Sequence, residues 1–317
     1  MKMGQPEISI VIPVYNSSDC MLALYEAICK TCNEFESWEL ILVNDKSSDQ
    51  SWDRIVYLCS INPKVKGISF RRNFGQDNAI LAGLRLSRGA YVVVMDDDLQ
   101  HAPSDIVKLY DQCKKGYDVC YGFFTEKKQK PWKNAGSWLN GKVSEKLLNK
   151  PGEIYLSPFK IISRNLVNEV IQNTSPYTYL DATILNLTSS LTQIEVQHHE
   201  RVSGNGNYTF LKSFVVFLNH ITSYSVYPLR LVTVTGFSAA IVSFIAAAFY
   251  LVQYLYADKR VEGWITLLLM LIFFGGLILM SIGLIGVYVG RIFLSVNNKP
   301  QYSIDALAGF DPIQSNK

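Results

Sequence analysis

Two long stretches without a charged side chain set the first constraint on what this 317-residue chain can fold into. Between Arg230 and Asp258, and again between Glu262 and Arg291, there is no Asp, Glu, Lys or Arg, and the gaps run to about 27 and 28 residues. At about 1.5 Å per residue each is roughly 40 Å long as a helix, enough to cross a hydrocarbon core of about 30 Å with tilt. Soluble helices of that length carry a polar face. The pair therefore predicts a transmembrane hairpin over about 229–257 and 263–291, joined by the polar turn Ala257-Asp258-Lys259-Arg260-Val261-Glu262-Gly263. Charged residues make up only 18% of the chain, which places the apolar excess in this one region. High apolar and aromatic content with a net charge of +3 excludes a disordered chain, and six Cys in a chain of this length exclude a small disulfide-stapled domain.

Outside the hairpin the charge is balanced. From Leu229 onward there are about 6 Lys+Arg and 4 Asp+Glu, so of the 30 and 27 in the chain roughly 24 and 23 remain for the first 228 residues. That is no nucleic-acid footprint. The start, Met1-Lys2-Met3-Gly4-Gln5-Pro6, has no apolar leader, so the N-terminal part is expected in the cytosol and two crossings return the C-terminus there. Lys212, Arg230, Arg291 and Lys299 flank the hairpin on the cytosolic side as the positive-inside rule requires, although Lys259 and Arg260 sit in the opposite turn. The expected location is the inner or plasma membrane. The expected layout is a catalytic domain over 1–207, an interfacial aromatic helix over 208–228, the hairpin over 229–292 and a cytosolic tail over 293–317. All six thiols lie in the cytosolic part, and the lone Cys29-Lys30-Thr31-Cys32 spacing reads as structural.

The first 125 residues alternate between short apolar runs and helical patterns. Ile8–Val14, Trp38–Val43, Val65–Phe70 and Tyr91–Met95 read as strands, with helices over about 19–32, 48–60 and 76–86 and another opening at Ala102-Pro103-Ser104. This alternation predicts an α/β fold, a mostly parallel sheet with helices on both faces, whose ligands bind beyond the carboxyl ends of the strands. Asn16, Asp45, Arg71, Arg72, Asn73 and Asp96–Asp98 all fall just after strands, so polar groups converge on one rim. Lys127, Lys128, Lys130 and Lys133 crowd a loop with Trp132 and Trp138, either solvated or attracted to anionic headgroups.

Asp96-Asp97-Asp98 is the sharpest chemical feature. Three adjacent carboxylates at a strand end repel one another unless a cation offsets them. Asp96 and Asp98 point to one side of an extended chain and suit Mg²⁺ or Mn²⁺, which prefer oxygen ligands and often share them with substrate phosphates. Asp97 is expected to face the other way, toward backbone or a sugar hydroxyl. Arg71 and Arg72 on the rim, with Arg164 and Arg201 later, offer guanidinium forks for phosphate oxygens. Asp45 fits either a hydrogen bond to a nucleobase imide or a strand-end cap. The four His (His101, His198, His199, His220) are too scattered for a zinc site.

Four motifs occur in order: Ile10-Val11-Ile12-Pro13-Val14-Tyr15-Asn16, Asn44-Asp45-x-Ser47-x-Asp49-x-Ser51, Arg72-Asn73-Phe74-Gly75-Gln76 and Asp96-Asp97-Asp98-Leu99-Gln100-His101. Together they resemble the family 2 inverting glycosyltransferases of GT-A fold. With Phe159-Lys160-x-x-Ser163-Arg164, Arg201-x-x-Gly204-x-x-Asn207-Tyr208 and the hairpin, the chain is similar to the polyprenyl-phosphate glycosyltransferases over roughly residues 7–300. These include the dolichyl-phosphate mannose synthases and the bacterial undecaprenyl-phosphate glucosyl- and aminoarabinosyl-transferases.

The resemblance implies that Pro13, Tyr15 and Asp45 line the nucleotide site with Asn16, Arg72, Asn73 and Asp97 around the donor. It implies that Asp96 and Asp98, near Gln100, hold the metal, and that Arg164 and Arg201 meet phosphates. Asp96, Asp98 and Arg201 are the expected catalytic set. The chain departs from the family pattern at Ser17, where Glu is usual, and at Gly206, where Ser is usual.

The implied donor is a nucleotide sugar, UDP-linked before GDP-linked, and the acceptor polyprenyl (undecaprenyl) phosphate at the cytosolic face. An acceptor phosphate is already ionised near neutral pH, its second pKa being about 6, so it needs little general-base help. Asp181 is the remaining base candidate, with a mainly structural role. Alternatives are transfer to a saccharide hydroxyl, a silent nucleotide-sugar or lipid-phosphate binding module, and a nucleotidyltransferase. The Gln-x-x-Arg-Trp signature of the first and the Gly-rich phosphate loop of the last are absent from the sequence. Gly275, Gly276, Gly283, Gly286 and Gly290 allow close helix packing within the hairpin or between subunits, which leaves a homo-oligomer open.

Overall fold

The computed structural model describes residues 5–124, 151–152, 154–176, 178–197, 227–256, 263–297 and 299–310. It divides into two units, Met1–Thr209 with Pro300–Lys317, and Phe210–Lys299. The lysine-rich loop, Arg201, His198, His199, His220 and nearly all of the expected interfacial helix lie outside the described residues.

In the first unit the rhythm of apolar runs becomes an eight-stranded sheet of order β7-β5-β6-β4-β1-β2-β3-β8. Its centre is parallel: β4 (Tyr91–Val94), β1 (Ile8–Val14), β2 (Trp38–Asn44) and β3 (Val65–Phe70). Every residue of β1 and β2 is buried, because helices cover both faces of the sheet. Ile8, Ile10, Ile12 and Val14 face one layer with α1 (Met21–Cys32), α2 (Ser51–Ile61) and α4 (Asp105–Cys113). Val11, Ile41 and Val43 face the other with α3 (Gln76–Leu86), α5 (Arg164–Val170) and α6 (Leu180–Leu187). Each fully buried aliphatic side chain stabilises the fold by about 1.5–3 kcal/mol. The approach of α3 to β1 is so close that a Cβ on Gly83 would collide with Val11.

One flank of the sheet departs from the parallel pattern. β5 (Val119–Phe123) and β7 (Leu191–Glu195) pair in parallel, but β6 (Lys160–Ser163) runs antiparallel between β5 and β4. At the other edge the segment expected as a tail contributes β8 (Ile304–Ala308), antiparallel to β3. The chain thus returns to the sheet after the apolar region. No disulfide joins the described cysteines. Burial pushes Cys32, Cys113 and Cys120 up to about 12 and Cys59 to about 11, so they are protonated and unreactive.

The second unit contains α7 (Tyr227–Tyr256) and α8 (Trp264–Val296). Within α8, Met270–Val296 spans 27 residues at mean hydropathy 2.5, long and apolar enough to cross a membrane. Val232–Ala246 in α7 is a shorter apolar stretch. Large apolar side chains stand exposed along both helices, Phe244 at 79% and Leu279 at 72% among them.

Candidate active site

The carboxyl ends of β1, β2 and β4 open into three loops held in unusual backbone conformations. Asn16 (φ 55), Lys46 (φ 57) and Leu99 (φ 60) are the non-glycine residues with positive φ among those described, one per loop. Asn tolerates this region, whereas a bulky Leu rarely enters it. Strain of about 1–3 kcal/mol per residue persists only where surrounding bonds over-determine it.

Those bonds explain the spacing of the second motif. Ser47, Asp49 and Ser51 reach across to the loop after β1. Asn16 N–H donates to Ser47 Oγ (3.0 Å), Ser17 N–H to Ser51 Oγ (3.0 Å) and Ser18 N–H to Asp49 Oδ2 (3.0 Å). Asn16 Oδ1 accepts from Ser48 N–H at 2.8 Å. Asn16 is therefore a latch between two loops and does not line the cleft.

Asp45 is buried, at 4% exposure, and its carboxylate accepts Phe74 N–H (2.7 Å) and Gly75 N–H (2.8 Å). Burial raises its pKa, and the two amides oppose that rise. It clamps the turn in which Gly75 takes φ 91, a conformation open to glycine, and from which α3 starts. Gln76, the first residue of α3, then donates from Nε2 to Asp96 Oδ1 at 2.7 Å.

Within the triplet, the three carboxylates have different partners. Asp97 Oδ2 accepts Tyr15 N–H at 3.1 Å and so ties the end of β4 to the end of β1, the backbone contact expected of it. Its pKa is raised, first by burial and further by the Asp98 charge, against hydrogen bonds from the Ser17 hydroxyl and Tyr15 N–H. Asp98 Oδ1 accepts Gln100 N–H at 3.1 Å, a short turn closed by the side chain.

These groups surround a cleft of about 360 Å³ whose wall includes Pro13, Tyr15, Asp45, Asn73, Gln76 and Asp96–Asp98. Four carboxylates line it, and no Lys, Arg or His does among the described residues. Arg71, Arg72 and Arg164 are not part of that wall. Arg72 lies over the Phe74 ring at 4.6 Å, and Arg71 pairs with Asp305 beside β8 at 3.2 Å. Arg164 donates to Gly89 O (2.7 Å) and Ser87 Oγ (3.1 Å), at the amino end of β4. At about 3.3 Å per residue that is roughly 20 Å from the triplet, so the structure does not bring Arg164 to this rim. Arg201 lies outside the described residues. His101 is buried and stacks on Phe124 and Phe159, while Asp181 is taken by Lys160 and Tyr121.

The donor set fits a divalent ion. A cleft lined by four carboxylates, with no cationic side chain in its described lining, suits a hard cation. Among the described residues no group of three His, Cys, Asp or Glu forms a closed cage. An ion here would be held by one or two of the carboxylates and completed by substrate oxygens. Gln76 and Gly75, absent from the expected site set, emerge as part of it. The signal was their place at the end of the Arg72-Asn73-Phe74-Gly75-Gln76 motif, where α3 opens.

Comparison with known proteins follows the same lines. A profile described as Glycosyl transferase family 2 matches residues 9–171. The undecaprenyl-phosphate 4-deoxy-4-formamido-L-arabinose transferase of Proteus mirabilis is 32% identical, over 98% of this chain and 97% of its own. An uncharacterized glycosyltransferase of Bacillus subtilis is 28% identical over 96% and 95%. Among solved structures, glucosyl-3-phosphoglycerate synthase from Mycobacterium tuberculosis, in complex with Mn²⁺, UDP and glucosyl-3-phosphoglycerate, superposes with a TM-score of 0.50 at 16% identity. The match covers 68% of this chain and 77% of that one.

Proposed function

The chain belongs to glycosyl transferase family 2, and from that premise we propose that it transfers a sugar, with inversion, from a nucleotide donor to polyprenyl phosphate at the cytosolic face of a membrane. Its sheet has the GT-A arrangement of that family. The observation that carries the reading is the cleft of four carboxylates at the carboxyl rim, with no cationic side chain among its described lining. Such a wall repels a nucleoside diphosphate unless a divalent ion accompanies it. The acceptor class is supported by the relatives named as undecaprenyl-phosphate transferases. A UDP donor is supported by the UDP and Mn²⁺ bound in the mycobacterial structure.

Asp96 and Asp98 would hold Mg²⁺ or Mn²⁺, which when bound supplies charge neutralisation for the departing diphosphate. The chain's own residues do the rest. Gln76 orients Asp96, Asp97 fixes the loop bearing Tyr15, and Asp45 sets the turn that places Asn73 and Gln76. Tyr15, 54% exposed at the mouth, offers its ring to a nucleobase. An ionised acceptor phosphate attacks without a dedicated base. Arg201, in the sequence after β7, remains the proposed phosphate contact. Met270–Val296 supports membrane anchoring, and α7 completes the proposed two-span hairpin that keeps both termini cytosolic.

The test is incubation of membranes with radiolabelled nucleotide sugars and undecaprenyl phosphate, counting label in the organic phase. Transfer from one donor, abolished by Asp98→Ala with the fold intact by circular dichroism, is expected. No lipid-linked label from any donor, or full activity after exhaustive chelation, would overturn the reading.

A further inference from the structure

The opposite end of the sheet carries a second and larger cleft. It lies beyond the amino ends of β2, β3 and β4 and measures about 790 Å³, against about 360 Å³ for the acidic one. Among the described residues Lys64, Lys66, Arg88 and Arg164 line it with Glu39 as the one carboxylate, so four positive charges face one negative.

Glu39 accounts for only one of those cations. It is 3% exposed and accepts Ser9 Oγ–H (2.6 Å), Arg88 N–H (2.6 Å) and the Lys66 ammonium. Burial works against its ionisation, but these three donors hold its pKa below the ordinary value. Lys66 is thereby neutralised; the Glu39 charge also acts on the half-buried Arg164, and Lys64 and Arg88 are left over.

Among the described residues the Arg88 guanidinium has no hydrogen bond or ion pair, and its backbone N–H alone is engaged. Lys64 lies over the Trp38 ring at 4.7 Å, with no carboxylate partner among the described residues. Arg164 engages two of its five N–H groups, with Gly89 O and Ser87 Oγ. The remainder of the wall is largely apolar, with Trp38, Pro63 and Phe310.

We propose that this cleft binds a phosphorylated small molecule, its phosphate held by Arg88, Arg164 and Lys64 and its apolar body lying against the exposed Pro63 side of the wall. Guanidinium forks match phosphate oxygens in pairs. The volume falls within the roughly 300–1,000 Å³ of small-ligand sites, and an apolar wall with a few convergent charges is their usual lining. The charge surplus excludes a cationic ligand, and the amino-end location separates this ligand from the sugar donor.

The opposite charge of the two clefts gives a clean assay. The full chain in detergent is titrated calorimetrically with pyrophosphate in the presence of EDTA, where the acidic cleft repels the probe. Saturable binding tighter than about 1 mM is expected, weakening as salt shortens the screening length. Neutralising Lys64→Ala with Arg88→Ala should weaken it about tenfold or more. Arg88→Glu should abolish it, and Asp98→Asn should leave it unchanged. Both cleft residues are exposed, so these variants are expected to fold, and their basal sugar transfer should match the parent. Adenosine diphosphate should bind more tightly than pyrophosphate through the apolar wall. Absence of saturable binding, indifference to Lys64 and Arg88, loss in Asp98→Asn, or no gain from the nucleoside would each overturn the proposal while leaving the transferase reading in place.

Discussion

Lys160 is the most informative residue to remove. It stands on β6 opposite Val94, just below the acidic triplet, with its side chain 3% exposed. Its ammonium meets the Asp181 carboxylate, which also accepts the Tyr121 hydroxyl at 3.1 Å and whose side chain is 14% exposed. Lys160→Met preserves volume but strands a buried carboxylate, a loss of about 3–5 kcal/mol. For a folded unit of this size each kcal/mol corresponds to roughly 2–4 °C, so the melting temperature should fall by about 6–20 °C. Adding Asp181→Asn removes the stranded charge while leaving Tyr121 an acceptor. The double variant should therefore recover most of the loss, with a coupling of about 2–3 kcal/mol in the cycle. The assay is thermal unfolding of the detergent-purified chain followed by tryptophan fluorescence. A double variant no more stable than the sum of the singles would show that the pair is not the buried ion pair described.

Asp77 tests the same cluster through pH. Burial lifts its pKa to about 6, with the Leu180 N–H opposing and the Asp181 charge assisting. An unfolded carboxyl titrates near 3.9, so the native state binds the extra proton and stability declines as pH rises from about 4 to about 6. Asp77→Asn should flatten that decline and raise the melting temperature at pH 7, with little change at pH 4. Gln76→Ala removes the hydrogen bond to Asp96 and should lower kcat/KM about tenfold while raising the Mg²⁺ or Mn²⁺ concentration needed for half-maximal transfer, read by metal titration. Asn16→Ala loses both the latch to the Ser48 amide and a residue suited to φ 55, for about 2 kcal/mol. Asn16→Gly loses only the latch and should melt higher than the Ala variant.

The central sheet was legible because its strands are unbroken apolar runs between helical patterns. The internal Glu39 of β2 did not obscure that pattern, since Ser9, Lys66 and the Arg88 amide satisfy it within the fold. β8 was not legible. Ile304–Ala308 is five residues long, and its partner β3 lies more than 230 residues earlier, so no local periodicity distinguishes it from a tail. The acids of the site were readable as strand-end residues. Asn16 was placed among donor contacts because the loop after β1 does flank the cleft, but its hydrogen bonds to Ser47 and Ser48 make it a latch.

The position of Arg164 away from the acidic rim has a topological cause. In a wholly parallel sheet the residue after a strand lies at the carboxyl rim, and Arg164, following Lys160–Ser163, inherits that position. β6 instead runs antiparallel to β4, pairing Ser163 with Tyr91 and Lys160 with Val94. The reversal exchanges the two ends: Arg164 goes to the amino end, and Lys160 comes up beneath the triplet. Lys160 is nevertheless consumed by Asp181 and contributes no charge to the cleft. Among the described residues the charged side chains of the cleft wall are therefore all carboxylates. A diphosphate bound there would need its charge balanced by a metal ion or by a cation from outside that wall, Arg201 being the one proposed.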